Sequence, residues 1–286
     1  MTTTPAHSKP EPAPADDQEG LALHTVHRQR PGSSYTSQQD QLAQEVPIAL
    51  EYNGISHATV LATPCDLEDF AFGFSYTEGV IRSARDIYDV ELTRRDKGIV
   101  IELTIASACL NQLKLRRRSL AGRTGCGLCG LESLDEVQRS LPPLNERPAF
   151  LNAEAVAAAT SALRELQPLH LQTGATHAAG WANIQGRILA VREDVGRHNA
   201  LDKLIGHLIR QDHDTSDGFA VISSRASFEM VQKAAAAGIS AVVAVSAPTT
   251  YAVQMADELN VLLAGFARET GFTVYAHPEF LIPYVS

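Results

Sequence analysis

Between residues 176 and 276 the chain alternates short apolar runs with amphipathic stretches of helical period, and no other feature restricts the possible folds as much. THAAGWANI and RILAVRED read as strands flanking the turn pair Gln185-Gly186. HNALDKLIGHLIR follows, with Leu201, Leu204, Ile205, Leu208 and Ile209 on one helical stripe. Strand GFAVISS, helix FEMVQKAAAAG, strand SAVVAVS, helix TYAVQMADELNVLLAG and strand FTVYA complete the series. Strands separated by helices of this length need crossover connections, which are right-handed and cover both faces of a mostly parallel sheet. Ligands of such α/β sheets bind beyond the strand carboxyl ends, where helix amino termini offer unpaired N–H groups to anions. Four segments are expected to meet there: Glu193 to His198, Ser223 to Phe228, Ser246 to Thr250, and the HPE run beginning at His277.

The first half of the chain follows a different pattern. EVPIALEY and ISHATVLA alternate apolar and polar residues around Asn53-Gly54, a strong hairpin signal. TPCDLEDFAFGFSYTEG then predicts a helix capped by Thr63, with Pro64 at its first position and Gly79 closing it. A second hairpin, DIYDVELT and GIVIELTI, turns through Asp96 to Gly98. These elements predict a small α+β domain over residues 45–113, preceded by a poorly ordered tail over 1–44 whose first twenty residues are rich in Pro, Ala and Asp. Residues 114–150 read as a basic loop followed by a linker helix, with a capping box at Ser133 and Glu136, and 151–286 as the α/β domain, whose first helix is capped by Asn152.

Within the basic loop lies GRTGCGLCG, where Cys126 and Cys129 sit among four glycines. A dinucleotide-binding glycine loop would need a buried strand before it, and RRRSLAGRT is not one. Zinc needs four ligands, and a lone C-x-x-C supplies two; His177 and His198 are conceivable partners, but the usual spacing is absent. A thioredoxin-type dithiol opens a helix directly after a strand, which this loop does not. What the loop offers is local positive charge, from Lys114, Arg116, Arg117, Arg118 and Arg123, which favours an anionic thiolate or persulfide, and glycines that permit wide excursions. Those properties suit a mobile sulfur arm. A solvated charge run is the plainer reading of the same arginines.

Composition narrows the partners. With 24 Lys and Arg against 33 Asp and Glu the chain carries a formal charge of -9, which argues against a generally cationic nucleic-acid binder. Neither a membrane-spanning apolar run nor a secretory signal pattern is evident, so a cytoplasmic location is expected. Cys65 and Cys109 are most simply small buried hydrophobes.

TGCGLCG at 124–130, TGATHAAG at 173–180, EDVGRHNALDKLIG at 193–206, SSRASFEMVQKAAAAGI at 223–239, and GFAR and YAHPE near the end together resemble the formate dehydrogenase accessory sulfurtransferases of the FdhD/NarQ family. The resemblance implies a cytidine-deaminase-like α/β domain without that fold's zinc, a homodimer, and a sulfur carrier. Sulfur would come from a cysteine desulfurase and pass to the molybdenum bis-guanine-dinucleotide cofactor destined for formate dehydrogenase. Cys126 would carry the persulfide and Cys129 assist, and a guanine nucleotide such as GDP would bind as an analogue of the cofactor. The resemblance also points to Phe266, Ala267, Arg268, Glu269, Thr270 and Gly271 as cofactor contacts, although Glu269 stands where the family often has glycine. From the residues themselves, Arg197, His198, Ser223, Ser224 and Arg225 are candidate phosphate contacts at strand ends. Asp194 is a candidate guanine contact, whereas Asp202 reads better as a helix salt-bridge partner. A cofactor-binding chaperone whose cysteines only hold shape is the alternative, and a dithiol oxidoreductase a third reading.

Overall fold

The computed structural model describes residues 19–121, 139–145, 147 and 150–283. The expected helix at Ser133 and both cysteines of the C-x-x-C lie outside the described residues.

The second half is the expected α/β unit. Its six-stranded sheet has the order β12-β11-β10-β9-β7-β8, built from β7 (His177–Asn183), β8 (Ile188–Asp194), β9 (Gly218–Ile222), β10 (Ala241–Ala244), β11 (Leu262–Arg268) and β12 (Gly271–Ala276). Parallel pairing is confined to the three central strands β9, β10 and β11; β7 joins β9 antiparallel, and hairpins close both edges. The sheet is therefore mixed, because the two short turns at 184–187 and 269–270 leave no room for a crossover. Period-2 alternation divides the buried strand residues between the faces. Ala179, Trp181, Ala220, Ile222, Val242, Ala244 and Leu263 pack under α5 (Arg197–Arg210), α6 (Phe228–Ala236) and α7 (Thr250–Leu259). Ala178, Phe219, Val221, Val243 and Leu262 pack under α3 (Ala153–Glu165), whose Asn152 cap accepts a hydrogen bond from the Ala155 N–H as expected. Where one helix to Gly265 was expected, α7 stops at Asn260, in the left-handed region at φ 55°, and the buried run VLLAG enters β11 instead. A short apolar run of that kind fits a buried strand or a buried helix equally, and length alone misleads.

The first half contains a four-stranded sheet of order β4-β3-β6-β5, formed by β3 (Val46–Tyr52), β4 (Ile55–Ala62), β5 (Ile87–Arg95) and β6 (Gly98–Ile105). Asn53 and Gly54 both take positive φ, as a two-residue hairpin turn requires. α1 (Leu67–Thr77) covers this sheet with Leu67, Phe70 and Ala71. Its cap is Asp66 and not Thr63, because both polar backbone and side-chain groups of Thr63 are engaged elsewhere, as described below.

Two further segments depart from expectation. Residues 21–43 are not a tail: β1 (Leu21–Arg28) and β2 (Thr36–Ala43) pair antiparallel along their length. Most of their side chains are exposed, so no apolar alternation marked them, but Leu21 is buried and the Gln44 N–H closes the base on the Gly20 carbonyl. The basic stretch expected as loop from residue 114 is helical up to 121 in α2 (Ser107–Ala121), anchored by buried Cys109 and Leu113. Among the described residues no helix is long and apolar enough to cross a membrane.

The halves meet where α1 crosses α5. A Cβ on Gly73 would overlap the Asp202 carbonyl, and one on Gly206 would overlap the Asp69 carbonyl, so the two backbones touch. Only glycine at both positions allows this approach.

Candidate functional site

At the carboxyl ends of β9, β10 and β11 three loops are tied to one another by backbone bonds. Ala226 N–H donates to Ala247 O (3.3 Å), Thr249 N–H to Ala226 O (3.0 Å), and Phe266 N–H to Ser246 O (3.2 Å). Since β8 ends beside the start of β7, with Asp194 opposite His177, the 193–198 segment joins the same rim. Three of the four segments expected there therefore converge. The fourth does not: β12 runs antiparallel to β11 and ends at Ala276 opposite Leu263, so His277 lies at the other end of the sheet. There it stacks on Phe280 and contacts Glu279 at 2.7 Å.

The rim presents cations and helix starts. α5 begins at Arg197 and α6 at Phe228, and neither Gly196 nor Ser227 supplies a side-chain cap, which leaves first-turn N–H groups to solvent or a ligand. Arg197 Nε is buried without a hydrogen-bond partner, the single such side-chain atom among the described residues. A buried guanidinium N–H left in that state is costly unless something else completes it. His198 Nε2 lies 2.7 Å from Glu229 and 3.4 Å from the Ser227 hydroxyl. Burial foremost holds the His198 pKa below the usual histidine value, Glu229 opposes this, and the Arg197 charge adds to it. His177 is lowered by burial and, next, by the same arginine. Arg197 thus stands close enough to both imidazoles to disfavour their protonation.

The remaining predicted contacts fall into two groups. Arg225 is exposed at the rim, while Ser224 is buried with its hydroxyl donating to the Arg225 carbonyl (3.0 Å). Phe266 is half exposed with φ 53°, an unusual backbone state for an aromatic residue, in a bulge where β11 loses register with β12. Arg268 Nη1 reaches back to the carbonyls of Val245 and Ala267 across the end of β10. Thr270 lies in the exposed turn with Glu269, Gly271 opens β12, and Ala267 is buried. Glu269 accepts a hydrogen bond from the Ser161 hydroxyl of α3 (2.9 Å), which ties this acidic side chain to the opposite helix layer.

Ser223 and Asp194 are both engaged in bonds within the fold. The Ser223 hydroxyl accepts from the Ala178 N–H (2.8 Å) and its own N–H donates to the Ala178 carbonyl, so it extends the β7–β9 pairing. Asp194 is fully buried and both carboxylate oxygens are taken. Oδ1 accepts from the Gly196 N–H (2.8 Å) and Asn199 Nδ2 (3.0 Å); Oδ2 accepts from the Thr63 N–H (3.0 Å) and pairs with Lys203 Nζ at 2.7 Å. A carboxylate with no free lone-pair direction has nothing left for guanine. Lys203 Nζ also donates to the Thr63 carbonyl (2.9 Å), and the Thr63 hydroxyl accepts from the Val195 N–H (3.1 Å). Asp202 is the expected salt-bridge partner, with Lys233 Nζ 3.0 Å from each oxygen and the Thr77 hydroxyl at 2.7 Å. Glu193 holds the start of α4 (Pro168–Thr173), accepting from the Leu169 and His170 N–H groups and the Thr176 hydroxyl.

Sequence reasoning passed over Glu229 and Ser227 as partners of His198, although both lie inside the quoted SSRASFEMVQ run, in the first turn of α6 and at its cap position.

The sequence model of the FdhD/NarQ family matches residues 43–282. The chain is 52% identical over 269 residues to the sulfur carrier protein FdhD of Bordetella petrii, spanning 94% of this chain and 96% of that one. It is 52% identical to the protein of the same name from Cupriavidus necator (94% of each chain) and 48% identical to that of Xanthomonas campestris (92% of each). A crystal structure from Desulfotalea psychrophila, provisionally named a formate dehydrogenase accessory protein, superposes with a TM-score of 0.68 at 23% identity over 92% of this chain and 99% of that one, a likeness of fold. A match over this much of the sequence, at this identity, places the chain in the FdhD/NarQ family.

Proposed function

We propose that this protein is a sulfur carrier that takes persulfide sulfur from a cysteine desulfurase onto Cys126 and delivers it to a molybdenum bis-guanine-dinucleotide cofactor bound at the strand-end rim, in the service of formate dehydrogenase. Relatives matched over more than nine-tenths of their length bear the name sulfur carrier, and the observation in the molecule that supports a bound polyanion is the buried, partnerless Nε of Arg197 beside two uncapped helix starts. Arg197, Arg225 and the first-turn N–H groups of α5 and α6 would take phosphate oxygens, and Phe266 offers an exposed aromatic face to a guanine or pterin ring. Transfer proceeds by attack at sulfur: a desulfurase persulfide is attacked by the Cys126 thiolate at its outer sulfur and the desulfurase thiolate leaves; the acceptor then takes the outer sulfur of the Cys126 persulfide as the S–S bond breaks and the Cys126 thiolate leaves. Cys129 would assist by thiolate attack on the Cys126 Sγ, which expels the outer sulfur as hydrosulfide and leaves a Cys126–Cys129 disulfide.

The test is to incubate the protein with a desulfurase and cysteine and weigh the intact chain. One added sulfur atom, lost in Cys126→Ala, is the expected result. An unchanged mass in the wild type would overturn the carrier reading, and full formate dehydrogenase activity in cells carrying only Cys126→Ala would favour a chaperone whose cysteines are not chemical.

A further inference from the structure

On the far side of α6 from the rim, a cavity of about 550 Å³ opens between the end of α1, the face of α2 and the end of α6. Among the described residues its lining includes Arg82, Arg116 and Arg139 and no carboxylate, in a chain whose net charge is -9. Two of the three guanidiniums are held in place. Arg139 Nη1 donates to the Tyr76 and Thr77 carbonyls at 3.1 and 2.8 Å, and Arg116 Nη1 to the Glu78 carbonyl at 3.3 Å, so both sit on the carboxyl end of α1. A helix end explains one nitrogen of each, while among the described residues the other N–H groups of the two side chains have no acceptor. Burial, and then the Arg116 charge, push the Arg139 pKa below the usual arginine value, with the Glu78 carboxylate opposing them, so the two guanidiniums stand close enough to repel each other. Tyr76 and Leu115 add apolar wall beside the guanidiniums. The volume is that of a small-molecule site, and two guanidiniums anchored on a helix end, with the exposed Arg82 beside them, suit bidentate contacts to phosphate oxygens.

We propose that this cavity is a second anion site, separate from the strand-end rim, that binds an organic phosphate with its phosphates on Arg82, Arg116 and Arg139 and its ring against Tyr76 and Leu115. The sites are set apart by the length of α6, which starts at the rim with Phe228 and reaches the cavity with Ala236; nine residues make about 13 Å. Arg116 and Arg139 also flank residues 122–138, so the cavity lies at the root of the segment that contains Cys126 and Cys129. The site does not depend on the sulfur-carrier reading, since its charge and shape stand whether or not Cys126 accepts sulfur. Nucleotides and pterin phosphates share the chemistry it would recognise.

The experiment titrates the full chain calorimetrically with pyrophosphate, GDP and guanosine at one fixed ionic strength, on an Arg197→Gln background that weakens the rim. Saturable GDP binding is expected to survive in Arg197→Gln, to weaken at least tenfold when Arg82→Gln and Arg116→Gln are added, and to be at least tenfold tighter than pyrophosphate binding. Arg82→Gln with Arg116→Gln alone should remove one of two GDP sites. A single GDP site in the parent chain, or isotherms unmoved by the two substitutions, would overturn the proposal. Equal affinities for GDP and pyrophosphate would overturn its organic part. Sulfur loading of Cys126, read by mass in the same variants, reports independently on the carrier function.

Discussion

The junction between the two halves and the strand-end rim draw on the same run, EDVGRHNALDK, and use it in opposite ways. At the junction Asp194, Asn199, Asp202 and Lys203 are buried and hydrogen-bonded to the first half through Thr63, Leu61 and Thr77. At the rim Arg197 and His198, between them in sequence, are only partly covered, and Arg197 keeps an unsatisfied nitrogen. The difference separates two kinds of charged residue. One whose every direction is occupied holds elements together, and one left short of partners is poised for something that arrives later. Burial works against the Lys233 ammonium, yet the Asp202 and Glu78 carboxylates outweigh it and hold its pKa above the usual lysine value, so this ammonium is of the first kind.

The largest effect should come from the junction. Lys203→Met leaves the Asp194 carboxylate buried without its cation and is expected to cost about 3–5 kcal/mol of stability, read from the urea midpoint. Adding Asp194→Asn should recover part of the loss, whereas a single-variant cost below about 1 kcal/mol would show that the pair is solvated and erase the contrast. Next, Gly206→Ala forces α5 away from α1 and should cost about 1–3 kcal/mol; with Gly73→Ala the sum should fall short of additivity, because both act at one crossing.

At the rim the order of effects reverses. Arg197→Gln should change stability by no more than about 0.5 kcal/mol, in contrast to its neighbours, while GDP affinity at the rim falls roughly 10- to 100-fold, the worth of a charge-assisted hydrogen bond. A stability loss like that of Lys203→Met would place Arg197 with the junction. The smallest effect is in protonation. Removing the Arg197 charge favours the imidazolium forms, so the His177 and His198 pKa values should both rise in an NMR titration. A bound phosphate acts in the same direction, so binding should take up protons and rim affinity should strengthen as pH falls below about 6.5, after correction for the nucleotide's own titration. Imidazole pKa values that stay put in Arg197→Gln would separate the histidines from the rim.

The alternating strands and helices of the second half and both hairpins of the first were legible because each carries a local signal, a period or an Asn-Gly turn. The β1–β2 hairpin was not, since strands with mostly exposed side chains show no apolar alternation. The end of α7 was missed because VLLAG has no period to distinguish strand from helix, and only the left-handed Asn260 stops it. The partners of Asp194 and Ser223 within the fold were not legible, for a different reason. Their residue types and strand-end positions suit a ligand, but the partners that consume them, Thr63 and Ala178, lie 131 and 45 residues away, and no local pattern announces such a contact.

The meeting of Gly73 and Gly206 has a mechanical meaning for the whole molecule. Two side-chain layers can slide over one another through rotamer changes, but peptide planes in direct contact have no such play. The front half is therefore welded to the helix that opens at Arg197, and a push on either is delivered to the other undamped.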